Sequence, residues 1–445
     1  MSTAPQTKPG PDDAGAASGV SARTARYVLG VLVVVYVFNF IDRQILNILL
    51  QSIKDEMGVS DSAMGFLTGP AFALFYTFAG IPIARWSDRG TRRNIVALGL
   101  VVWSALTAAS GLARSFAQLA IARVGVGVGE ATASPASHSM ISDLYPPERR
   151  ATALSIYTIG AYIGMLIGLS LGGWIDQYFG WRTAFFVVGI PGLAVAVLVR
   201  STVPEPPRGR VEGLDAEGPP PDTLEVFRYL WSLRSFRHIA IAGALYAFAG
   251  YGFMTWAPTF FRRVHGLGPA EAGIWIGVVF GIGGAIGTLL GGLLADAGAR
   301  RDVRWQLWVA AIGGTVMTPL LAFFLLADDW VSGLLFYAPA FVAGQFYVGP
   351  TFAMTQGLAR LRMRALASAV ILFFMNLIGL GLGPQVVGIL NDWLDPRFGD
   401  DAIRYSLLAM ALANLWAVAH SLLAARTLRA DLRAAQVPPA EAAQR

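Results

Sequence analysis

The 445-residue chain carries 34 Lys and Arg against 28 Asp and Glu, a net charge of +6, with 55% hydrophobic and only 14% charged residues. Apolar runs of membrane-spanning length recur to the end, which excludes a string of soluble domains and reads as an all-α polytopic membrane protein. Cysteine is absent, which excludes disulfides and thiolate metal sites; the arginines sit in short loops and not on a soluble basic patch, so no nucleic-acid partner is expected.

Residues 1–22, rich in Pro, Gly, Ala and Ser, read as a disordered tail without the apolar core of a cleavable signal peptide. Twelve spanning helices follow at roughly 26–51, 62–86, 93–113, 116–141, 152–175, 183–201, 238–261, 271–296, 305–326, 331–357, 365–391 and 403–426. If both termini are cytoplasmic, about 25 of the 34 basic residues fall in cytoplasmic segments and about seven outside, the asymmetry expected of a multi-pass protein of the inner (plasma) membrane. Between the sixth and seventh spans, residues 202–237 begin Val-Pro-Glu-Pro-Pro-Arg-Gly-Arg and continue through Gly-Pro-Pro-Pro, a composition that cannot pack a core. This segment divides a six-helix bundle at 23–201 from a second at 238–430, with a tail at 431–445. Its later part opens with Asp222-Thr-Leu-Glu225, a capping-box pattern, and sets Leu224, Phe227, Leu230 and Trp231 among arginines, as an interfacial helix would.

Full charges inside the apolar spans are few. The first span carries Asn39-Phe-Ile-Asp42-Arg43, and the fourth carries Arg123-Val-Gly-Val-Gly-Val-Gly-Glu130. A charge at the bilayer centre costs roughly 2.5–3.5 kcal/mol on insertion scales, so such residues face a polar interior and carry function. Seven residues return Arg123 and Glu130 to one helix face, about 10.5 Å apart along the axis. That is long for a bridge within one helix, so each charge needs a partner elsewhere and both are expected to look into one cavity. Gly125, Gly127 and Gly129 let a neighbouring helix approach closely. The four charges sum to zero, which low dielectric favours. Glu130, alone or with Asp42, is the expected proton-coupling group, and Arg43, Arg123 and Asn39 are expected to bind an anionic head group. The second half lacks such charges and offers Tyr246, Trp256, Gln345, Tyr347 and Thr351, which suit an amphiphilic slot.

The histidines at 138, 238, 265 and 420 lack metal-ligand spacing. No Gly-x-x-x-x-Gly-Lys phosphate cradle occurs, and nothing supplies a nucleophile with an orienting partner. The expectation is therefore a carrier and not an enzyme, with no cofactor or metal beyond a coupling proton.

Asp88-Arg-Gly-Thr-Arg92-Arg93 after the second span returns as Asp296-Ala-Gly-Ala-Arg300-Arg301 after the eighth. Two parallel six-helix repeats imply a site between them near the midplane and alternating access. On this motif and the twelve-span pattern the chain resembles the major facilitator superfamily, departing from its loop signature at Ala84, where Gly is usual and Gly292 keeps it. The resemblance implies a conformational latch, in which Asp88 and Asp296 accept hydrogen bonds at helix ends while Arg92, Arg93, Arg300 and Arg301 hold neighbouring helices together on the cytoplasmic side. Asn39-Phe-Ile-Asp42-Arg43 and Arg123 followed by Gly-Val-Gly-Glu130-Ala resemble more closely the Spinster subfamily of proton-linked lysophospholipid and sphingosine-phosphate carriers. That implies a lipid-like amphiphile as substrate, membrane lipids as partners and a monomer; a small organic anion, such as a sugar acid, or a drug-type export substrate is the alternative. Gly164, Gly168, Gly172 and Gly173 keep most of an exporter-type glycine pattern but with Leu169 at its proline position, and small-residue packing alone accounts for them.

Overall fold

The computed structural model describes residues 21–207 and 222–436, apart from the side chains of residues 88, 147, 361, 365 and 436. The expected N-terminal tail, the Gly-Pro-Pro-Pro stretch and the last residues of the C-terminal tail fall outside the described residues. Those described are helical, without strands. The first pass, α1 (Ala22–Met57), starts at Ser21, whose hydroxyl accepts from the Thr24 amide, and stops at Gly58, left-handed at φ 63°. The second is α2 (Asp61–Thr68) and α3 (Pro70–Arg89), parted at Gly69. Then come α4 (Arg92–Ser110), a fourth pass of α5 (Phe116–Glu130) and α6 (Ala133–Leu144), α7 (Pro147–Phe179) and α8 (Trp181–Thr202).

After the short α9 (Thr223–Ser232), the seventh pass is α10 (Arg234–His265). The eighth is α11 (Pro269–Val278) and α12 (Gly284–Ala299), joined by a π-helical turn at Val279–Gly283. The ninth is α13 (Trp305–Leu326), and the tenth α14 (Trp330–Gly344) and α15 (Val348–Leu358). In the eleventh a second π-helical turn, Met375–Leu380, joins α16 (Arg364–Phe374) to α17 (Gly381–Phe398). The twelfth is α18 (Ala402–Gln436). Among the described residues ten stretches are long and apolar enough to span a membrane. One of these, Leu366–Ala435, turns back at Gly399, and the fourth pass escapes the criterion because a turn at 131–132 interrupts it. All twelve expected passes are therefore present.

The first and last passes run longer than expected, to Met57 and at least to Gln436, because hydropathy marks only the lipid-embedded part of a helix. On α9, Asp222 makes no capping hydrogen bond; the helix is seated by Val226 and Leu230, which are fully buried. An even number of passes puts Ala22 and Gln436 at one end of the molecule with the arginine-bearing turns, here the basic end. The turns at 58–60, 111–115, 180, 266–268, 327–329 and 399–401 form the far end.

Glycines decide the packing around the fourth pass. A Cβ on Gly129 would lie 2.9 Å from the Trp103 amide nitrogen of α4, and one on Gly127 would lie 2.9 Å from the Phe72 carbonyl of α3. The close approach expected at these glycines thus involves two neighbours, with Phe72 drawn to the flank of Arg123. Along α7, Gly160, Gly164, Gly168 and Gly172 receive α1, while Gly273, Gly277 and Gly281 of the eighth pass receive α7. The fifth-pass glycines therefore serve helix packing. The halves meet where α7 packs on α11 and where α2 packs on α17.

Candidate substrate and proton site

The four intramembrane charges come together as two crossed pairs between the first and fourth passes. Arg43 Nε donates to Glu130 Oε2 at 2.6 Å, and Arg123 Nη1 reaches Asp42 Oδ1 at 3.4 Å. The partner that each residue of the fourth pass lacked within its own helix is supplied by adjacent residues of α1. The third pass adds Thr107, whose hydroxyl lies 2.6 and 2.5 Å from the two Asp42 oxygens. Asp42 and Glu130 are 2% and 0% exposed, so the pairs sit in low dielectric, where a charge left alone is costly. Rings complete the enclosure: the Arg43 guanidinium lies 5.3, 5.1 and 4.6 Å from the centroids of Phe40, Phe72 and Tyr76, and that of Arg123 lies 5.8 Å from Phe72.

Thr107→Val removes one donor to a charged acceptor while keeping the side-chain shape. Hydrogen bonds to charged groups contribute about 1.5–3 kcal/mol, so the variant should lose stability by that order and unfold at a lower temperature. An unchanged thermal midpoint would show that Arg123 holds Asp42 without help.

Between the halves lies a cavity of about 270 Å³, with Arg43, Arg123, Gln44 and Asn47 on one side and Tyr246, Tyr251, Gln345, Tyr347 and Asn414 on the other. Its remaining wall is apolar, from Phe40, Phe72, Met254, Phe341, Met375 and Leu380 among others. Of the expected binding residues, Arg43, Arg123, Tyr246, Gln345 and Tyr347 line it, and the Tyr246 and Tyr347 rings stack at 4.8 Å. Asn39, Trp256 and Thr351 do not: Asn39 is 1% exposed inside the first bundle, Thr351 is buried, and Trp256 Nε1 donates to the Pro384 carbonyl at 2.9 Å. Glu130 does not line the cavity either, which corrects the expectation that it shares the cavity with Arg123. Arg43 stands between them.

The far end holds a cluster that sequence reasoning missed. Asp61, at the start of α2, receives two hydrogen bonds from Arg263 of α10, at 2.5 and 2.7 Å, one from Asn391 at 2.9 Å, and an ion pair from Lys54 at 2.6 Å. Arg262, next to Arg263, pairs with Asp176 of α7 at 3.5 Å and donates to Ser52 at 3.1 Å. Asp392 of α17 accepts the Asp61 and Ser62 amides at 2.9 and 2.8 Å. One turn of α10 thus clamps both the second and fifth passes. The signal was there in acids and arginines at span ends, but span ends are also where topology alone places charge.

At the basic end, the Asp88 side chain lies outside the described residues. Arg92 pairs with Asp143 and with Glu205, the latter at 2.8 Å, and donates to Ser139 and the Pro206 carbonyl. The Arg93 amide donates to Glu205, and its guanidinium to the Val203 carbonyl. These two arginines tie the third pass to the fourth and to the chain leaving the sixth. In the second half Asp296 accepts from Gln306 at 3.1 Å, Arg300 and Arg301 are exposed, and the ion pairs form one turn later, where Asp302 holds Arg304 and Arg429, each at 2.8 Å. The Arg304 hydrogen bond in this loop holds the Asp302 carboxyl down to about 2. The repeated motif therefore keeps its place in the fold but not its pairing.

Twelve passes around a central cavity, with compensated charges in one half, define a polytopic membrane transporter. The chain belongs to the major facilitator superfamily, whose family model matches residues 32–384. It is 34% identical over 394 residues to an MFS-type efflux pump of Mycolicibacterium smegmatis, covering 88% of this chain and 90% of the relative. It is also 26% identical over 395 residues to a D-galactonate transporter of Escherichia coli, covering 82% and 89%. Among solved structures it is similar to a bacterial homolog of the human lysosomal transporter Spinster in an inward-facing, unoccupied conformation, with TM-score 0.83 and 31% identity over 92% of this chain and 99% of that one. The resemblance to Spinster proteins read from the motifs of the first and fourth spans agrees with this likeness.

Proposed function

We propose that this transporter is a monomeric, proton-coupled carrier of a lipid-like amphiphile, working by alternating access with its basic end in the cytoplasm. The observation that carries the reading is the cavity itself, which offers two guanidinium groups at one side and a long wall of rings and methyl groups elsewhere. A phosphate-bearing head group fits the arginines, and an acyl or sphingoid chain fits the apolar wall. The likeness to a Spinster homolog supports this class of substrate, and the efflux-pump relative supports export. Proton coupling is assigned to Glu130 with Asp42, the two carboxyl groups buried beside those arginines.

Each methylene buried contributes roughly 0.8 kcal/mol, about fourfold in affinity. Lysophospholipids or sphingoid phosphates of increasing chain length should therefore bind progressively tighter to the purified protein until the apolar lane is filled. Arg123→Ala should weaken every member of the series without flattening its slope. A second reading, a small organic anion such as a sugar acid, is favoured by the galactonate-transporter relative and by the same arginines. A flat chain-length series together with saturable uptake of a sugar acid would establish it instead.

A further inference from the structure

Glu130 has a problem of access. Its Oε2 is taken by Arg43, its other oxygen has no partner among the described residues, and its side chain is fully buried behind the guanidinium that faces the cavity. A proton arriving from the cavity must pass that cation.

Behind Glu130, toward the basic end, the first bundle contains a file of buried polar atoms without a hydrogen-bond partner among the described residues. They are both side-chain polar atoms of Asn39 on α1, the Ser137 hydroxyl on α6 and the Tyr157 hydroxyl on α7. Asn39, Ser137 and Tyr157 are 1%, 0% and 0% exposed. Ser134, Ser137 and His138 lie beyond Glu130 toward the basic end, on α6 past the turn at 131–132. The Tyr157 hydroxyl faces Ser134 and Ser137, its ring stacks on Tyr36 at 4.3 Å, and His138, which is exposed, meets its edge at 5.4 Å. Buried polar groups are satisfied by protein or by ordered water, and a cluster of facing hydroxyl groups with an unpaired amide near it has the chemistry of a hydrated path. Hydroxyl groups suit it because each donates one proton while accepting another, so a proton enters at one end as one leaves at the other. Asn39 can orient water from both its donor and its acceptor.

We propose that protons reach Glu130 from the basic end through the interior of the first bundle, along His138, Tyr157, Ser137, Ser134 and Asn39, separately from the substrate cavity. This rests on the reading of Glu130 as the proton site. The charged and titratable groups around that carboxyl are Arg43, Asp42 and Arg123, with Tyr76 against Arg43. Separate routes let the cavity be filled by substrate while the carboxyl exchanges its proton.

The test needs no substrate. Wild-type protein in liposomes is followed by time-resolved infrared spectroscopy after a pH jump on the basic side, and the protonated-carboxyl band of Glu130 is assigned by its loss in Glu130→Gln. Tyr157→Phe, which keeps the ring stack, and Ser137→Ala should each slow the appearance of that band at least fivefold, with its final amplitude unchanged. If no band disappears in Glu130→Gln, the proton-site reading itself falls. If the band is present and both path variants protonate at the wild-type rate, Glu130 remains the proton site and the path is overturned.

Discussion

Glu130→Gln is expected to abolish uphill transport driven by a pH gradient, reducing accumulation in proteoliposomes to the level reached by equilibration, while counterflow exchange persists. The amide keeps the volume and a hydrogen-bond acceptor for Arg43 at the position of Oε2, so the bundle should fold. What it removes is the ability to change charge. With Asp42 and Glu130 ionised, the two buried pairs are neutral; protonating Glu130 makes the quartet +1 beside the cavity, which draws an anionic head group toward Arg43 and Arg123. A fixed amide holds the site permanently in that state, and a carrier unable to release the proton cannot link the gradient to substrate movement. Asp42→Asn should be less selective, because it removes the partner of Arg123 and the acceptor of Thr107 together. Accumulation by Glu130→Gln equal to that of the wild type would move the coupling site away from Glu130.

The second large effect is expected at the far end. Asp61→Asn should shift the protein toward a conformation open at that end, because Arg263 and Lys54 would both lose their compensating charge. Breaking a buried ion pair by removing one partner costs roughly 3–5 kcal/mol. Lys54, with 28% of its side chain exposed, is screened by water, so the lower bound is the better guide. At about 1.4 kcal/mol per tenfold change, this still moves the closed-to-open ratio by roughly two orders of magnitude. The chain has no cysteine, so spin labels attached at Leu112→Cys and Asp400→Cys report the separation of the two halves directly. A longer and broader distance distribution in Asp61→Asn is the expected result; superimposable distributions would mean that helix packing alone keeps the far end shut. Arg263→Gln should act in the same direction, and Arg262→Gln more weakly, since Arg262 meets Asp176 at 3.5 Å.

Much of this molecule can be read along the chain because a bilayer makes local composition decisive. A run of about twenty apolar residues must become a helix there, having no other way to satisfy its backbone. The twelve passes, the division near residues 202–237 and the rarity of charges at 42, 43, 123 and 130 follow from this single constraint. The motif resemblance added the superfamily and the Spinster likeness. Even the need for outside partners at Arg123 and Glu130 could be deduced, from the axial rise between them.

Which partners they take was another matter. Arg43 turns to Glu130 and Arg123 to Asp42 because the fold lays the first pass beside the fourth, and an approach between distant segments has no one-dimensional signature. Tertiary packing likewise hides Glu130 behind Arg43, keeps Trp256 and Thr351 out of the cavity lining, and converts Arg262, Arg263, Asp61 and Asp176 from apparent topology signals into a clamp. The repeated loop motif shows the limit from the other side. Arg92 and Arg300 occupy matching places in the two halves, yet Arg92 finds Asp143 and Glu205 while Arg300 is exposed and the second half forms its ion pairs at Asp302. Sequence alone determined where the chain crosses the membrane and which charges must be compensated inside it, since both are costs of transfer from water to lipid. Tertiary structure alone decided which groups meet, because a pairing energy depends on distances of a few ångströms between residues that lie far apart in the sequence.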